Sequence, residues 1–212
     1  MLNDRITVTK KHIDAANVVV DELLPRIGDK YIIAIGGEVG SGKSTLAFAI
    51  AHRLKKEGIK SKIIDLDDFY TIPPHSRKAW RRKHGIESVG PEEYDWDSIN
   101  RVIEDFRHDR DSTMPCVDLI TDEVDRISTT FRSVRVVIFN GLYATMLWQA
   151  DFKVFLELTY RETLEAQLFG EKEEMTEFRK KILEREHKMV QALKSGCNMF
   201  FDFDAMLDKY HL

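Results

Sequence analysis

One eight-residue segment limits this chain more than anything else in it. Gly37-Glu38-Val39-Gly40-Ser41-Gly42-Lys43-Ser44 fits the pattern G-x-x-x-x-G-K-[ST]. The apolar run Tyr31–Gly36 before it has the length and content of a strand buried on both faces. The residues after it, Ser44–Glu57, read as a helix stopped by Gly58. Glycines between a strand and a helix let backbone N–H groups converge on phosphate oxygens with no Cβ in the way. The helix then points its positive end at the same anion. In this setting Gly37, Glu38, Val39, Gly40, Ser41 and Gly42 form a phosphate-binding loop (P-loop), with Thr45 near the α-phosphate. Lys43 would reach the β- and γ-phosphates, and the Ser44 hydroxyl would ligate Mg²⁺.

Helix and strand patterns alternate through the rest of the chain. Ile13, Ala16, Val20, Leu23 and Ile27 recur at helical spacing and predict an opening amphipathic helix over residues 10–26. Ser61–Leu66 reads as a second strand, ending in Asp65, Asp67 and Asp68. From Phe69 to Pro91 no period survives, which predicts a lid or substrate loop. A helix is expected over Asp95–Phe106, an irregular or hairpin-like stretch over 113–133, and buried strands over Arg135–Phe139 and Phe152–Leu158. A charged helix follows over Thr176–Lys194 with Phe178, Ile182, Met189 and Leu193 on its apolar side, then a last strand over 198–203. Strands alternating with helical crossovers predict an α/β fold. The expected form is a P-loop NTPase three-layer sandwich with a mostly parallel central sheet and helices on both faces. A single domain is expected over 1–212, with 1–29 as an N-terminal helix packed on it and 69–94 as the substrate or lid loop.

Composition narrows the class without choosing a chemistry. Of 212 residues, 43% are hydrophobic, enough for a packed core. The 36 acids against 32 Lys and Arg leave a charge of −4, so no overall field recruits nucleic acid or an acidic membrane. The start lacks the apolar core of a signal peptide, and Cys116 and Cys197 match no metal-ligand spacing. A cytoplasmic protein with two reduced thiols is the expectation. No Gly has Asp three positions before it and no Asn is followed by Lys, which disfavours a GTPase.

Asp65-Leu66-Asp67-Asp68-Phe69-Tyr70 falls at the carboxyl end of the second predicted strand, the edge where open parallel sheets bind ligands. A carboxylate there can take a hydroxyl proton or hold water on Mg²⁺, whereas aspartates capping a turn would occupy the same spot without function. The P-loop followed by DLDDFY, then GPEEYDWDSI (90–99) and VVIFNGLYAT (136–145), resembles the uridine kinase and phosphoribulokinase superfamily over about residues 30–205. The stretch LEREHKMVQAL (183–193) is closer to a uridine-kinase-like branch than to authentic uridine kinases.

The resemblance implies an ATP- and Mg²⁺-dependent kinase acting on a hydroxyl of a small metabolite. Uridine is the first acceptor to consider, with a sugar, sugar phosphate or pantothenate-like alcohol as alternatives. It implies that Asp67 is the base, that Asp67 joins Ser44 at the metal, and that Tyr70, Tyr94, Asp95 and Trp96 line the acceptor side. Two positions depart from the family pattern. Asn140 stands where an acid is usual, and the lid stretch after the Phe152–Leu158 strand offers only Arg161 and then Arg179. Arg161 is the candidate for the transferring phosphoryl, and Asn140 a candidate for hydrogen bonding to water or a hydroxyl. These departures motivate an alternative: a nucleotide-binding regulatory protein with weak or lost transfer.

The basic cluster Arg77, Lys78, Arg81, Arg82, Lys83 around Trp80 fits a solvated face, a cationic lid or a nucleic-acid patch. The charged run 171–188 reads as a surface helix. The expected partners are thus ATP and a hydroxyl-bearing metabolite, with no membrane, nucleic acid disfavoured and a homo-oligomer left open.

Overall fold

A computed structural model describes residues 6–163 and 176–203. Five strands, β1 (Tyr31–Gly37), β2 (Ser61–Asp65), β5 (Val136–Asn140), β6 (Phe152–Leu156) and β7 (Met199–Phe201), form one sheet. Its order is β2-β5-β1-β6-β7 and every pairing is parallel. All seven residues of β1 and all five of β5 are buried, as expected for central strands covered on both faces.

Side-chain alternation splits the core into two layers. Ile33, Ile35, Val136, Ile138 and Val154 face α1 (Lys10–Leu23) and α2 (Lys43–Lys56). Ile32, Ala34, Val137, Phe139 and Phe155 face α4 (Trp96–Arg107), with Phe106, Phe131, Tyr143 and Val190 in the same layer. The result is helix, sheet, helix, the three-layer α/β arrangement expected from the sequence.

Three segments differ from expectation or refine it. Residues 69–94 contain an eleven-residue helix, α3 (Pro74–His84), flanked by short 3-10 turns. Its only buried residue is Arg81, so an apolar period could not reveal it. Residues 111–130 form an antiparallel hairpin, β3 (Asp111–Val117) with β4 (Val124–Thr130), apart from the main sheet. The Asp68 carboxylate accepts from the Val117 N–H at 2.8 Å, so this aspartate ties the hairpin to the end of β2. The charged C-terminal helix, α5 (Glu177–Ala192), is not simply a solvated surface: Ile182, Leu183, Glu186 and Val190 are buried. Among the described residues, no helix is long and apolar enough to cross a membrane.

Candidate active site

The sheet order assembles the site. β5 lies between β1 and β2, and Asn140 is in register with Ile35 on one side and Asp65 on the other. The loop after β1, the acidic turn after β2 and the end of β5 therefore meet at one carboxyl edge. A cleft of about 460 Å³ opens there, lined by Lys43, Ser44, Thr45, Asp67, Tyr70 and Asn140 among others.

The phosphate loop holds a fixed shape. Gly37 has φ 144°, and a Cβ on it would lie 2.9 Å from the Leu156 carbonyl oxygen and from Ser41 Oγ. Gly42, at φ 94°, is the left-handed residue from which α2 starts. The first turn of α2 lines the cleft, and the leading N–H groups of a helix have no partner within it. Ser41 Oγ is buried without a hydrogen-bond partner. A polyphosphate fits this set of donors.

Lys43 Nζ donates to the Glu38 carbonyl at 2.6 Å. Its enclosure by protein lowers its pKa, while the charges of Asp67, Asp65 and Glu186 act the other way. Ser44 Oγ donates to Asn140 Oδ1 at 3.1 Å, so the asparagine orients the hydroxyl that would hold Mg²⁺. Asp65 accepts from the Asp67 N–H and starts the 3-10 turn Leu66–Phe69. Desolvation, then the neighbouring Asp67 charge, push the Asp65 carboxyl up to about 7. Asp67 itself accepts from the Tyr94 hydroxyl at 3.2 Å.

Of the two tyrosines expected to line the acceptor side, Tyr70 lines the cleft and Tyr94 does not; their rings are tilted with centroids 4.1 Å apart, and the Arg77 guanidinium lies 3.5 Å over the Tyr70 ring. Other expected residues are occupied elsewhere. Asp95 caps α4 by accepting from the Ser98 N–H and hydroxyl, and Trp96 Nε1 donates to the Pro91 carbonyl. Neither lines the cleft. The Glu38 side chain also turns away, taking a structural role against α5. Arg161 is 62% exposed and bonds Glu184 at 3.0 Å, outside the cleft. The rest of the expected lid stretch, residues 164–175, lies outside the described residues.

Instead, Arg77, Lys78, Arg81 and Arg179 bring positive charge to the cleft, and Glu186 brings an acid. The basic cluster had signalled the first three in sequence. Glu186 had a weaker signal: it sits at i+4 from Ile182, on the apolar stripe of a helix where an acid is out of place.

A family model described as "Phosphoribulokinase / Uridine kinase family" matches residues 32–167. The chain belongs to this family. It is 26% identical over 181 residues to a uridine kinase from Ureaplasma urealyticum serovar 10, covering 79% of this chain and 86% of that protein. A possible uridine kinase from Bacillus stearothermophilus shares the fold with a TM-score of 0.63 at 17% identity, over 89% of this chain and 98% of the other. A phosphoribulokinase from Rhodobacter spheroides superposes with a TM-score of 0.62 at 15% identity, over 82% and 70%. Membership of the phosphoribulokinase and uridine kinase family makes this chain a P-loop small-molecule kinase.

Proposed function

We propose that this kinase transfers the γ-phosphoryl group of ATP to a hydroxyl of a small metabolite, with uridine the first acceptor to test. The observation that carries the reading is the convergence of Lys43, Ser44 and Asp67 on one cleft. Asp67 takes the hydroxyl proton as the acceptor oxygen bonds to the γ-phosphorus. The bond from that phosphorus to the β–γ bridging oxygen breaks, and ADP leaves with the electron pair. Lys43 swings from the Glu38 carbonyl to the phosphates and follows the charge that spreads over their oxygens. Ser44 and Asp67 would hold Mg²⁺, with Asn140 orienting Ser44; when bound, the metal neutralises charge on the phosphate oxygens.

The test is ADP release from ATP and Mg²⁺ across a panel of nucleosides, sugars, sugar phosphates and vitamin alcohols. Acceptor-dependent release supports the reading. Tight ATP binding with no stimulation by any acceptor would favour the second reading, a nucleotide-binding regulator. One feature supports that second reading: the neutral Asn140 beside Ser44, which cannot balance the charge of a metal.

A further inference from the structure

Two surface features take no part in the phosphate chemistry, and each has what the other lacks. The first is the tip of the β3–β4 hairpin. Residues 119–128 are all exposed, although Leu119, Ile120, Val124 and Ile127 among them are apolar, and Ile120 is 77% exposed. The same stretch carries Asp122, Glu123 and Asp125 against one base, Arg126. The tip is thus apolar, acidic and covered by nothing among the described residues.

The second feature is a groove of about 640 Å³ between α2 and the edge strand β2. Ile63 of β2 is in register with Ile138 of β5, so both side chains point into the α2 layer. Ile138 is fully covered there, whereas Ile63 is 39% exposed. The helix layer therefore ends before the edge strand, and Phe48 of α2, 45% exposed, forms the other apolar wall. His52, Lys55 and Lys60 also line the groove, and no acid does among the described residues.

Apolar surface in water is stabilised by being covered, and charge selects what covers it. The basic groove attracts an apolar segment that carries acid, which describes the hairpin tip. The two do not meet within one chain. The Val117 N–H on the Asp68 carboxylate, at 2.8 Å, and His75 Nδ1, 3.4 Å from the Asp122 carbonyl, hold the tip at the carboxyl end of β2. The groove opens at the amino end, beside Lys60 and Ser61, with the five residues of β2, roughly 16 Å of strand, between them.

We propose that the partner of each groove is the hairpin tip of a second copy of this chain, exchanged about a two-fold axis to give a dimer with two equal contacts. Apolar Ile120 packs against Phe48 and Ile63, and the acids of the tip face Lys55 and Lys60. Neither patch lines the catalytic cleft, so this inference stands apart from the kinase reading.

The test is sedimentation of the full chain from about 1 to 100 µM, where an exchange of two small patches is expected to double the mass with a dissociation constant on the order of 10 µM. Ile120→Lys brings a cation to a cationic groove, and Lys55→Glu brings an acid to an acidic tip. Each change acts at both contacts, so each variant alone should associate about 100-fold more weakly. Mixing the two variants should restore association, because one chain keeps a native groove, the other a native tip, and the altered pair has opposite charges. Both positions are exposed, so melting temperature and affinity for a non-hydrolysable ATP analogue should stay at wild-type values. Three results overturn the inference: a wild-type chain that stays monomeric over this range, a dimer that neither substitution weakens, or two monomeric variants that do not associate on mixing. The wild-type measurement needs no variant to fold. A monomeric chain whose Lys55 groove instead binds an oligonucleotide would likewise count against a second copy as the occupant.

Discussion

Glu38 Oε1 lies 2.8 Å from His187 Nδ1, joining the second residue of the phosphate loop to the C-terminal helix. The same oxygen accepts from Gln191 Nε2 at 2.6 Å, and Oε2 accepts from the Tyr160 N–H at 2.8 Å. At 2% exposure, this carboxylate fastens the loop after β1 both to α5 and to the segment after β6. Because α5 also carries Phe178, Arg179, Ile182 and Glu186 into the cleft, the loop and this wall of the cleft are mechanically joined.

Glu38→Ala removes a buried acceptor and strands three donors. The expected loss is about 3–5 kcal/mol, a fall in Tm of roughly 10 °C, readable by thermal melting. Glu38→Gln should lose less, since its amide oxygen still serves one or two of the donors. A melting curve unchanged in Glu38→Ala would show that the network does not hold α5 to the loop.

Lys43 separates stability from catalysis. Its folded pKa is depressed by enclosure, so the folded state binds fewer protons than the unfolded state in the window between that lowered value and the ordinary lysine range. Its contribution to stability is fully present above the ordinary value and is lost as pH falls through the depressed one. Lys43→Met should therefore melt no lower than the wild-type protein near neutral pH in the absence of nucleotide. Phosphoryl transfer should fall by about 100- to 1,000-fold or more. Calorimetry and single-turnover rates check the two halves separately.

Asp67→Asn should leave the affinity for nucleotide largely intact and reduce transfer by about 100- to 10,000-fold. Equal loss of nucleotide binding, measured by titration calorimetry, would contradict a role as base. The Tyr94 hydroxyl that donates to Asp67 offers a milder version: Tyr94→Phe removes one hydrogen bond and should cost transfer about tenfold or less.

Asn140→Ala leaves the Ser44 hydroxyl without its 3.1 Å partner and should lower turnover about tenfold while raising the Mg²⁺ concentration needed for half-maximal rate. Asn140→Asp restores an acceptor and adds a negative charge, so it should lower that Mg²⁺ requirement. A Mg²⁺ titration indifferent to both substitutions would separate Asn140 from the metal.

What was legible in the sequence follows from local physics. The strand, glycine turn and helix around Lys43 are encoded by neighbouring residues: an apolar run for a strand buried on both faces, glycines for positive φ, and a helix beginning at once. The Asp67 turn is likewise local, closed by Asp65 on the Asp67 N–H. These segments could be read by eye and placed at the carboxyl edge of a parallel sheet. What tertiary structure alone decided is which distant residues meet. The strand order puts Asn140 between the P-loop and Asp65, a neighbourhood no spacing along the chain expresses. Asp95 and Trp96 directly follow Tyr94, whose hydroxyl donates to Asp67, yet spend their polar groups on α4 and Pro91. Helix α3 and the burial of Glu186 on α5 escaped a reading based on apolar period, because Arg81 and Glu186 are buried as charges paired across more than a hundred residues. Hydrophobic patterning records burial only where the buried group is apolar. A charge buried against a partner leaves no such mark, so this wall of the cleft became visible only once the chain was folded.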